Sequence, residues 1–569
     1  MTMSDALNVV VIGGVACGPK AAARLKRLMP DAKVTLVEKG DWISYGGCGL
    51  PYYIGATVKE LNDLMTTSWD AVRTPEFMKA TKDIDTLLGY AATAIDRKAK
   101  TVTVQHVADG TEQVLPYDKL VLATGSYNAK PPIKGLDGKG VFQLKSPQDG
   151  QDILSHLKGG ISHAVIIGSG LIGMEMMEAC ANWGLEVTVI EMEDQIFPKM
   201  LDKDMAAVLQ AYLESEDINI LTGTALKEVL LDDKGEVRGV VTDAGELECG
   251  LVLVSTGVRS DVALAKDAGL EIDGGIVVNE YLQTSDPDIY AGGDCVMVNH
   301  RITGKRTFAP MGSTANKHGR IIGTNIAQGN TQTFPGVLGT SLVQQFDWTA
   351  GKVGLTEKDA LAQGFDAVTC IVPGPDITHF RPGKKLIMVK VIADKKTARI
   401  LGVQIIGPGN VDKRVDTMAG ALSANPQLTA YDMANMDLAY APPYSSAVDN
   451  LLTNANVIQN VIEGRAKQID FFSCLDLLDC DDVIFVDLRC DDEVNQMGAF
   501  KAKHQAHIPI EELRARAGEL PKDKEIILFC ILSTRGYEAQ LILEHAGFDK
   551  VRFLQGGIFF WPFDKFINA

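Results

Sequence analysis

The chain has 569 residues, of which 46% are hydrophobic and 22% are charged, and its net charge is −18. This length predicts about three to four domains, and the acidity argues against nucleic acid or an anionic membrane as the main partner. We expect no transmembrane segment and no signal peptide, and the ten scattered cysteines predict neither a disulfide framework nor a metal site, which favours a reducing cytoplasm.

The first predicted element is a buried parallel strand at residues 8–12, followed by a glycine-rich turn at 13–18 and a helix at 19–28. This order places the pyrophosphate of a dinucleotide at a helix N-terminus. Glu38 ends the second strand, where a carboxylate accepts the ribose hydroxyls of an adenosine. The fingerprint is imperfect, because Val15 stands where the second glycine is expected.

Cys48 lies among glycines in the stretch 44–53, soon after the second strand. Glycines let a backbone approach a flat ligand closely, so this cysteine is placed to reach a flavin ring. The thiolate is the reactive form of cysteine, and a helix N-terminus or an electron-poor ring beside it would lower the thiol pKa. The alternative is a loop cysteine without a chemical role.

Residues 165–175 contain a second glycine turn after a strand, and here the glycine pattern is complete. Glu191 closes the following strand, and an acidic side chain there repels the 2′-phosphate of NADPH. Residues 192–194 supply no arginine to bind that phosphate. The second unit therefore predicts NADH rather than NADPH, and two such turns in one chain are much stronger evidence than one.

Two strands run into small-residue turns, at 120–125 and 251–257, between and after the dinucleotide units. A third strand ends at Gly293-Asp294, which puts a carboxylate at the carboxyl end of a strand, where ligands bind in open α/β sheets. Asp294 is a candidate acceptor for a flavin ribityl hydroxyl. A turn carboxylate without a ligand is the alternative.

Residues 1 to about 460 resemble the flavin disulfide reductases with a single redox cysteine, which include coenzyme A disulfide reductases and NADH-dependent persulfide reductases. The resemblance rests on residues 13–18, Glu38, 44–53, 124–125, 168–175, 291–294 and 438–446. It implies FAD bound by residues 1–118 and 281–328, NADH by 119–280, and dimerisation through 329–462. It also implies that Cys48 exchanges with a coenzyme A-linked sulfur, and that Tyr440 reaches the active site of the partner subunit.

The candidate cofactor-binding residues lie in these motifs and turns: Gly13, Gly14, Val15, Ala16, Gly18, Glu38, Lys39, Ser44, Thr124, Gly125, Gly168, Gly170, Ile172, Gly173, Glu175, Glu191, Gly257, Gly293 and Asp294. The candidate substrate contacts are Ser44, Tyr440 and two cations of the first helix, Arg24 and Arg27, with Lys26 beside them. A solvated helix face is the alternative for these cations. Coenzyme A is expected as a substrate or a bound ligand.

The sequence departs from other disulfide reductases at several positions. No second cysteine precedes Cys48 within residues 43–47, so a dithiol relay is not expected. Tyr440 and Tyr444 stand where a His–Glu pair would lie, and they are candidate proton donors; the alternative is two tyrosines made rigid by the neighbouring prolines. Cys17, in the first glycine turn, is either a small packing residue or a second thiol near the flavin.

The composition changes after residues 463–467, and a small α/β unit follows over 470–569. A strand at 526–529 ends directly on Cys530, and a helix begins soon after. Backbone N–H groups at a helix N-terminus would stabilise a thiolate or a persulfide there. With Asp487, Arg489, Glu493 and the 530–535 loop, this unit resembles a rhodanese sulfurtransferase domain, in which Arg535 is a candidate substrate contact. Cys490 has no evident role.

The predicted fold class is therefore α/β, with two Rossmann-like dinucleotide-binding domains for FAD and NAD, an α+β dimerisation domain and a small α/β rhodanese domain. The predicted activity is NADH-dependent reduction of coenzyme A persulfide, polysulfide or coenzyme A disulfide at Cys48, by a homodimer, with sulfur loaded or delivered by Cys530. Two alternatives remain: an NADH oxidase or peroxidase that uses a Cys48 sulfenic acid, and a sulfur carrier or sensor that hands sulfur from Cys530 to a partner protein.

Overall fold

The computed structural model describes residues 6–563 and 567–568. The chain divides into two compact units: the first extends to Met192 and resumes over Thr224–Val337, and the second comprises Glu193–Gly223 and the chain from Leu338 onward. The outer ends of the first and last predicted domains, residues 1–5, 564–566 and 569, lie outside the described residues. No helix within the described ranges is long and apolar enough to cross a membrane.

The strands, in chain order, are β1 Asn8–Ile12, β2 Lys33–Glu38, β3 Asp85–Leu88, β4 Tyr90–Asp96, β5 Thr101–His106, β6 Glu112–Pro116, β7 Lys119–Leu122, β8 Ser126–Asn128, β9 Val141–Phe142, β10 His163–Ile167, β11 Glu186–Ile190, β12 Asn219–Leu221, β13 Leu226–Leu231, β14 Val237–Thr242, β15 Gly245–Glu248, β16 Leu251–Val254, β17 Val258–Ser260, β18 Ile289–Ala291, β19 Met297–Asn299, β20 Arg306–Phe308, β21 Ser341–Gln345, β22 Trp348–Gly354, β23 Ala367–Pro375, β24 Leu386–Asp394, β25 Ile400–Gly407, β26 Gln468–Ile469, β27 Val483–Asp487, β28 Ala499–Phe500, β29 Gln505–His507, β30 Glu525–Phe529, β31 Val551–Leu554 and β32 Ile567–Asn568.

The α-helices, in chain order, are α1 Cys17–Leu28, α2 Leu50–Ile54, α3 Pro75–Lys82, α4 Pro147–Leu157, α5 Leu171–Ala181, α6 Lys203–Ser215, α7 Ala263–Asp267, α8 Gly312–Gln328, α9 Glu357–Ala362, α10 Val411–Ala424, α11 Ala430–Ala434, α12 Asn450–Ile462, α13 Phe471–Leu477, α14 Asp491–Met497, α15 Ile510–Arg516 and α16 Thr534–His545.

The first unit is built around a parallel sheet in the order β18, β7, β1, β2, β3. Its central strand β1 is fully buried at Val9, Val10 and Val11, as expected for a parallel strand covered on both faces. Strand β7 pairs with β1, so residues 119–122 lie in the first sheet. Residue 119, the predicted start of the NAD domain, therefore lies in a strand of this first sheet. The sequence did not indicate this pairing, because β7 and β1 are far apart in the chain.

A second parallel arrangement in the first unit has β10 at its centre, paired with β11 on one side and with β16 on the other. Strand β9 extends it beyond β16. Ala164, Val165 and Ile166 of β10 are fully buried. The two predicted glycine turns thus each follow the central strand of a parallel sheet, which is the position that both turns require for binding a dinucleotide.

The second unit contains an antiparallel sheet in the order β21, β22, β25, β24, β23 and a small parallel sheet in the order β26, β31, β30, β27, β29. Segment 193–223 is held to the antiparallel sheet by a buried ion cluster. Lys390, 1% exposed on β24, lies 2.7 Å from Asp204 and 3.3 Å from Asp202. Because an unpaired buried charge is costly, this cluster fixes where the segment attaches.

Candidate active sites in the two units

The first glycine turn is shaped by close backbone contacts. A Cβ on Gly13, whose φ is +105°, would stand 2.0 Å from the Ala123 carbonyl oxygen, and one on Gly18 would stand 1.9 Å from the Gly13 oxygen. Glu38 accepts hydrogen bonds from the N–H groups of Gly14 (2.6 Å) and Gly40 (2.8 Å). The predicted carboxylate therefore lies against the turn, where it can meet an adenosine ribose.

The residues next to this turn connect it to α1 and to the loop that carries Cys48. Val15 and Ala16 are partly buried and lead into α1, Lys39 is exposed directly after Glu38, and the Ser44 N–H donates to the Gly14 carbonyl over 2.7 Å. Ser44 has a left-handed φ of 52°, and this bend starts the loop that carries Cys48. The predicted FAD-binding turn and the redox cysteine are thus joined by one short, hydrogen-bonded connection.

Cys48 occupies a short 3₁₀ turn, Gly47–Gly49, that continues directly into α2. The residue is exposed, yet desolvation by surrounding protein atoms, followed by the charges of Glu175 and Asp294, raises its pKa, while Lys145 lowers it. The sequence suggested surroundings that lower this pKa. The protein groups have the opposite net effect, because desolvation, with the smaller contributions of two carboxylates, outweighs the effect of the lysine.

Lys145, Ser126 and Asp294 form a hydrogen-bonded group near Cys48 that sequence reasoning identified only in part. Lys145 Nζ donates to Ser126 Oγ (2.8 Å), and Ser126 Oγ donates to Asp294 Oδ2 (2.9 Å). Lys145 Nζ also lies 3.8 Å from Asp294 Oδ2. The predicted ribityl acceptor is therefore already oriented by a serine and a lysine. Neither belongs to a recognisable motif; the only sequence signal is that Ser126 directly follows the Thr124-Gly125 turn.

The second glycine turn repeats the geometry of the first. A Cβ on Gly173 would stand 2.0 Å from the Gly168 oxygen, whereas one on Gly170 would meet open space. Glu191, which is buried, accepts hydrogen bonds from Ser169 through the backbone N–H (2.8 Å) and the hydroxyl (2.7 Å). The carboxylate that was predicted to repel a 2′-phosphate thus also holds the second glycine turn through Ser169.

Glu175 lies in the second turn of α5. Burial, and to a smaller extent the charge of Glu178, raises its pKa to about 7. It acts on the Cys48 thiol electrostatically, so α5 connects the predicted second dinucleotide turn with the predicted redox cysteine. A carboxyl group with a pKa near neutrality is suited to exchange a proton at this site.

The remaining predicted contacts of the first unit line open space or hold the turns. Ile172 and Gly257 line the same small cavity beside β16, and a Cβ on Gly125 or Gly257 would meet nothing within 4 Å. Thr124 Oγ1 donates to the Asp261 carbonyl (2.7 Å). These glycines leave the uncovered space that a bound dinucleotide needs beside its backbone contacts.

Gly293 is held by a residue that the sequence did not single out. The Gly293 N–H donates to Nδ1 of His318 (3.0 Å), a fully buried side chain on α8. Burial lowers the pKa of His318 to about 4, so the ring is neutral at physiological pH and can accept this bond. Cys17 packs at the same place, since a Cβ on Gly292 would stand 2.8 Å from its Sγ.

The cations of α1 differ in whether they are free to contact a phosphate group. Lys26 is buried, and its ammonium group binds the Ala32 carbonyl and Asp83, each at 2.8 Å, so it is not available for a coenzyme A phosphate as the sequence suggested. Arg24 donates from Nε to Thr324 (3.0 Å), and Arg27 is exposed. Only Arg24 and Arg27 therefore remain candidates for a phosphate contact.

Tyr440 and Tyr444 lie in the second unit, on a loop with an anchored backbone and exposed side chains. Their exposed fractions are 54% and 68%. Buried Arg414 forms an ion pair with Asp449 (2.8 Å), and Ser445 donates to the same carboxylate (2.7 Å). This buried pair holds the loop while both tyrosine side chains are exposed.

Cys530 follows β30 and is 1% exposed. Ser533 adopts a left-handed φ of 70°, and α16 begins at Thr534. Arg535 forms two hydrogen bonds with Glu493, at 2.7 and 2.9 Å. Burial lowers the pKa of Arg535, but its hydrogen bonds to Glu493 and the charge of a Cys530 thiolate outweigh this effect and raise it. The predicted loop therefore places a fixed cation on the cysteine.

Residues 7–318 match the pyridine nucleotide-disulphide oxidoreductase family, residues 341–452 match its dimerisation domain, and residues 473–562 match the rhodanese-like domain. The chain belongs to the pyridine nucleotide-disulphide oxidoreductase family. This membership confirms the predicted fold class and family. It also implies FAD and a pyridine nucleotide as cofactors of this oxidoreductase, and the close-packed turns and open glycine positions of the first unit fit two dinucleotides.

Two curated relatives cover most of the oxidoreductase part. An NAD(P)H coenzyme A polysulfide/persulfide reductase of Pyrococcus horikoshii is 37% identical over 457 residues, which is 79% of this chain and 98% of the relative. An NADH oxidase of Methanocaldococcus jannaschii is 35% identical over 442 residues, which is 77% of this chain and 96% of the relative. Relatives of the oxidoreductase thus differ in their named activity.

Two solved structures resemble nearly the whole oxidoreductase chain. An NAD-dependent persulfide reductase from A. fulgidus is 43% identical with a TM-score of 0.93, covering 98% of this chain and 100% of that one. Reduced CoADR-RHD from Bacillus anthracis is 32% identical with a TM-score of 0.89, covering 98% of each chain. The likeness therefore includes the C-terminal rhodanese-like domain.

Proposed function

We propose that this oxidoreductase is an NADH-dependent flavoprotein that reduces the sulfane sulfur or disulfide of a coenzyme A-linked thiol carrier at Cys48. The main observation behind this proposal is that, within the described residues, Cys48 is the only exposed cysteine. All ten cysteines lie within these residues. It lies where a carboxyl group with a pKa near 7 and a lysine act on its thiol. The relatives named as persulfide and coenzyme A-dependent reductases support this substrate class.

The reaction follows from the chemistry of Cys48. Its thiolate attacks the outer sulfur of a carrier persulfide or one sulfur of a disulfide, and the carrier leaves as a free thiolate. Lys145 favours the Cys48 thiolate, whereas Glu175 in its protonated form is placed to supply a proton to a departing sulfur. Bound FAD would supply the electrons of NADH that return Cys48 to the thiolate and release sulfide or thiol.

Tyr440 and Tyr444 complete the proposed site from the partner subunit of a homodimer. Both are exposed on the loop anchored by Arg414. Both hydroxyl groups can donate hydrogen bonds to the coenzyme A-linked carrier or to its leaving thiolate. Arg24, Arg27 and Ser44 are proposed contacts for the carrier itself. The cytoplasm is the proposed compartment, since all ten cysteines are free thiols.

Cys530 is the proposed sulfur-loading or sulfur-delivering residue of the rhodanese-like domain. A sulfur donor with a good leaving group would transfer its outer sulfur to the Cys530 thiolate and form a persulfide. Arg535, which interacts electrostatically with Cys530, would stabilise both the thiolate and the persulfide anion. This gives one chain a site that holds sulfane sulfur and a site that reduces it.

The proposal is tested by anaerobic NADH consumption with coenzyme A persulfide, with the sulfide counted, in the wild type and in Cys48→Ser. We expect one sulfide per NADH in the wild type and less than about 1% of that rate in the variant. Cys249→Ser, which changes a buried cysteine outside the predicted site motifs, is the matched control and should retain the rate. Sulfide formation that survives in Cys48→Ser would refute the proposal.

NADH oxidase activity is the second candidate function, and the M. jannaschii relative favours it. An exposed thiol at this position can cycle through a sulfenic acid instead of a bound sulfur. In the same assay, little sulfide with rapid NADH loss only after oxygen or peroxide is admitted would identify this activity. Rapid sulfide release under anaerobic conditions would exclude it as the main reaction.

A further inference from the structure

Cys490 lies beside the Cys530 loop, although the proposed reaction gives it no role. Strands β27 and β30 are parallel neighbours, with Asp487 opposite Phe529. The chain leaves both strands at the same edge, where the Leu488 N–H donates to the Phe529 carbonyl over 3.0 Å. Cys530 is the next residue after Phe529, and Cys490 is three residues after Asp487. The fold therefore places the two cysteines on adjacent strand ends.

A carboxylate–guanidinium pair connects the two cysteines. The Cys490 N–H donates to Glu493 Oε2 over 3.0 Å, and the Cys490 thiol also interacts with this carboxyl group and lowers its pKa. Glu493 accepts from both terminal nitrogens of Arg535, and Arg535 interacts electrostatically with Cys530. One bidentate ion pair thus interacts with both cysteines, which lie on adjacent strand ends.

The two cysteines differ in their exposure. Cys530 is 1% exposed, whereas Cys490 is partly exposed. The small exposed fraction of Cys530 leaves little room for a bulky acceptor thiol, whereas a small donor such as thiosulfate needs less space. A neighbouring thiol nearer to the surface would solve this access problem, and Cys490 is the cysteine that the Glu493–Arg535 pair connects to Cys530.

We propose that Cys490 is a relay thiol that takes the outer sulfur from a Cys530 persulfide and presents it to acceptors at the surface. The proposal rests on the sulfur-loading role of Cys530 proposed above. The Cys490 thiol loses its proton and attacks the outer sulfur. The bond between that sulfur and Cys530 Sγ breaks, and Cys530 leaves as a thiolate that Arg535 stabilises and a proton then neutralises. The persulfide has moved from Cys530 to Cys490, and Cys530 is again a thiol. The number of persulfides is unchanged, so no electron donor is needed.

The relay is tested on the full-length protein, without NADH, with thiosulfate labelled in its outer sulfur. At successive times the persulfides are trapped with iodoacetamide, and the label is located by mass spectrometry of the peptides that contain Cys530 and Cys490. We expect label at Cys530 first and at Cys490 later, as precursor and product. This order is read from the wild type alone, so it does not depend on the folding of any variant.

Two variants and one control test the order of the transfer. In Cys530→Ser, label at Cys490 should fall more than tenfold, because Cys490 receives sulfur only through Cys530. In Cys490→Ser, label should persist at Cys530, and transfer to a bulky thiol acceptor should slow by about tenfold or more. Cys480→Ser is the matched control: Cys480 is partly exposed in the same domain, and its replacement should change neither label nor transfer.

The outcomes separate this relay from the function on which it rests. Label that stays on Cys530 and never reaches Cys490, or that reaches Cys490 equally in Cys530→Ser, would overturn the relay and leave the loading role of Cys530 intact. A wild type that takes no label at Cys530 would overturn the loading role, and the relay with it.

Discussion

Gly557 approaches the carbonyl group of Ile531 so closely that a Cβ at this position would stand 2.2 Å from the oxygen. The φ of Gly557 is +67°, and the next residue, Ile558, donates its N–H to the Cys530 carbonyl over 3.0 Å. The turn at 556–557 is therefore the support on which the Cys530 loop lies. Any side chain at Gly557 must displace that loop.

We expect Gly557→Ala to reduce transfer of the thiosulfate outer sulfur to cyanide by more than tenfold, because the added methyl group displaces the peptide after Cys530. Anaerobic reduction of coenzyme A persulfide at Cys48 should remain within twofold of the wild-type rate. Gly518→Ala is the control, since a Cβ there meets nothing within 4 Å. Unchanged sulfur transfer in Gly557→Ala would show that the loop tolerates displacement.

The reactivity of Cys48 should depend on the charge of Glu175. The carboxylate raises the pKa of Cys48, and the pKa of Glu175 itself is raised to about 7, so this charge acts mainly above neutral pH. We expect Glu175→Gln to lower the apparent pKa of Cys48 by roughly half a unit. Lys145→Gln removes the favourable cation and should raise it. The rate of iodoacetamide modification of Cys48, measured from pH 6 to pH 10, reports both shifts.

Glu186→Gln, an exposed change at the start of β11, is the control for the Cys48 measurement and should leave the profile unchanged. Shifts of the same sign in Glu175→Gln and Lys145→Gln would contradict the electrostatic explanation. They would indicate instead that both replacements disturb the loop around Cys48.

The preference between NADH and NADPH should respond to the residue after Glu191. Met192 is 72% exposed, so a longer cationic side chain can be placed there without disturbing the core. We expect Met192→Arg to raise kcat/KM for NADPH by roughly tenfold, because the guanidinium group can pair with the 2′-phosphate. Met192→Gln, of similar length without the charge, should not do so. A wild type that uses both nucleotides equally would contradict the proposed NADH preference.

The tyrosine hydroxyl groups of the second unit should contribute to catalysis without contributing to folding. Tyr440 and Tyr444 are exposed, so replacement by Phe removes a donor and little packing. We expect Tyr440→Phe to lower kcat for sulfide release from coenzyme A persulfide by about tenfold or more, and Tyr444→Phe to have a smaller effect. Tyr431→Phe, a third exposed tyrosine of this domain, is the control. Equal rates in all three variants would leave Tyr440 without a catalytic role.

Much of the fold could be predicted because its signals are local. The apolar runs that became β1, β10 and β30 lie within one or two residues of their predicted positions, since a strand buried on both faces needs a continuous apolar run. The start of α1 was predicted two residues late, at Pro19, because the helix begins inside the glycine turn at Cys17. Proline is tolerated in the first turn of a helix and so does not mark its boundary sharply.

Residues outside motifs could not be predicted, because their roles depend on contacts between distant parts of the chain. Ser126 meets Asp294 across 168 positions, and His318 reaches Gly293 from another helix. Lys26 resembled a free surface cation in sequence, but it is buried because Asp83 and two backbone carbonyls lie around it. A side chain's neighbours in space decide its charge and its availability.

The sequence by itself determined the two glycine turns, the single cysteine among glycines, and a second cysteine at a strand end. Each of these is a short pattern whose physical requirement, such as close backbone approach at Gly13 and Gly173, is met within a few residues. Only the tertiary structure decided that Glu175, Asp294 and Lys145 act together on Cys48, and that Glu493 and Arg535 connect Cys490 to Cys530. Hydrogen bonds need contact, and charges are screened over about 10 Å, so both effects depend on which strand ends the fold brings together.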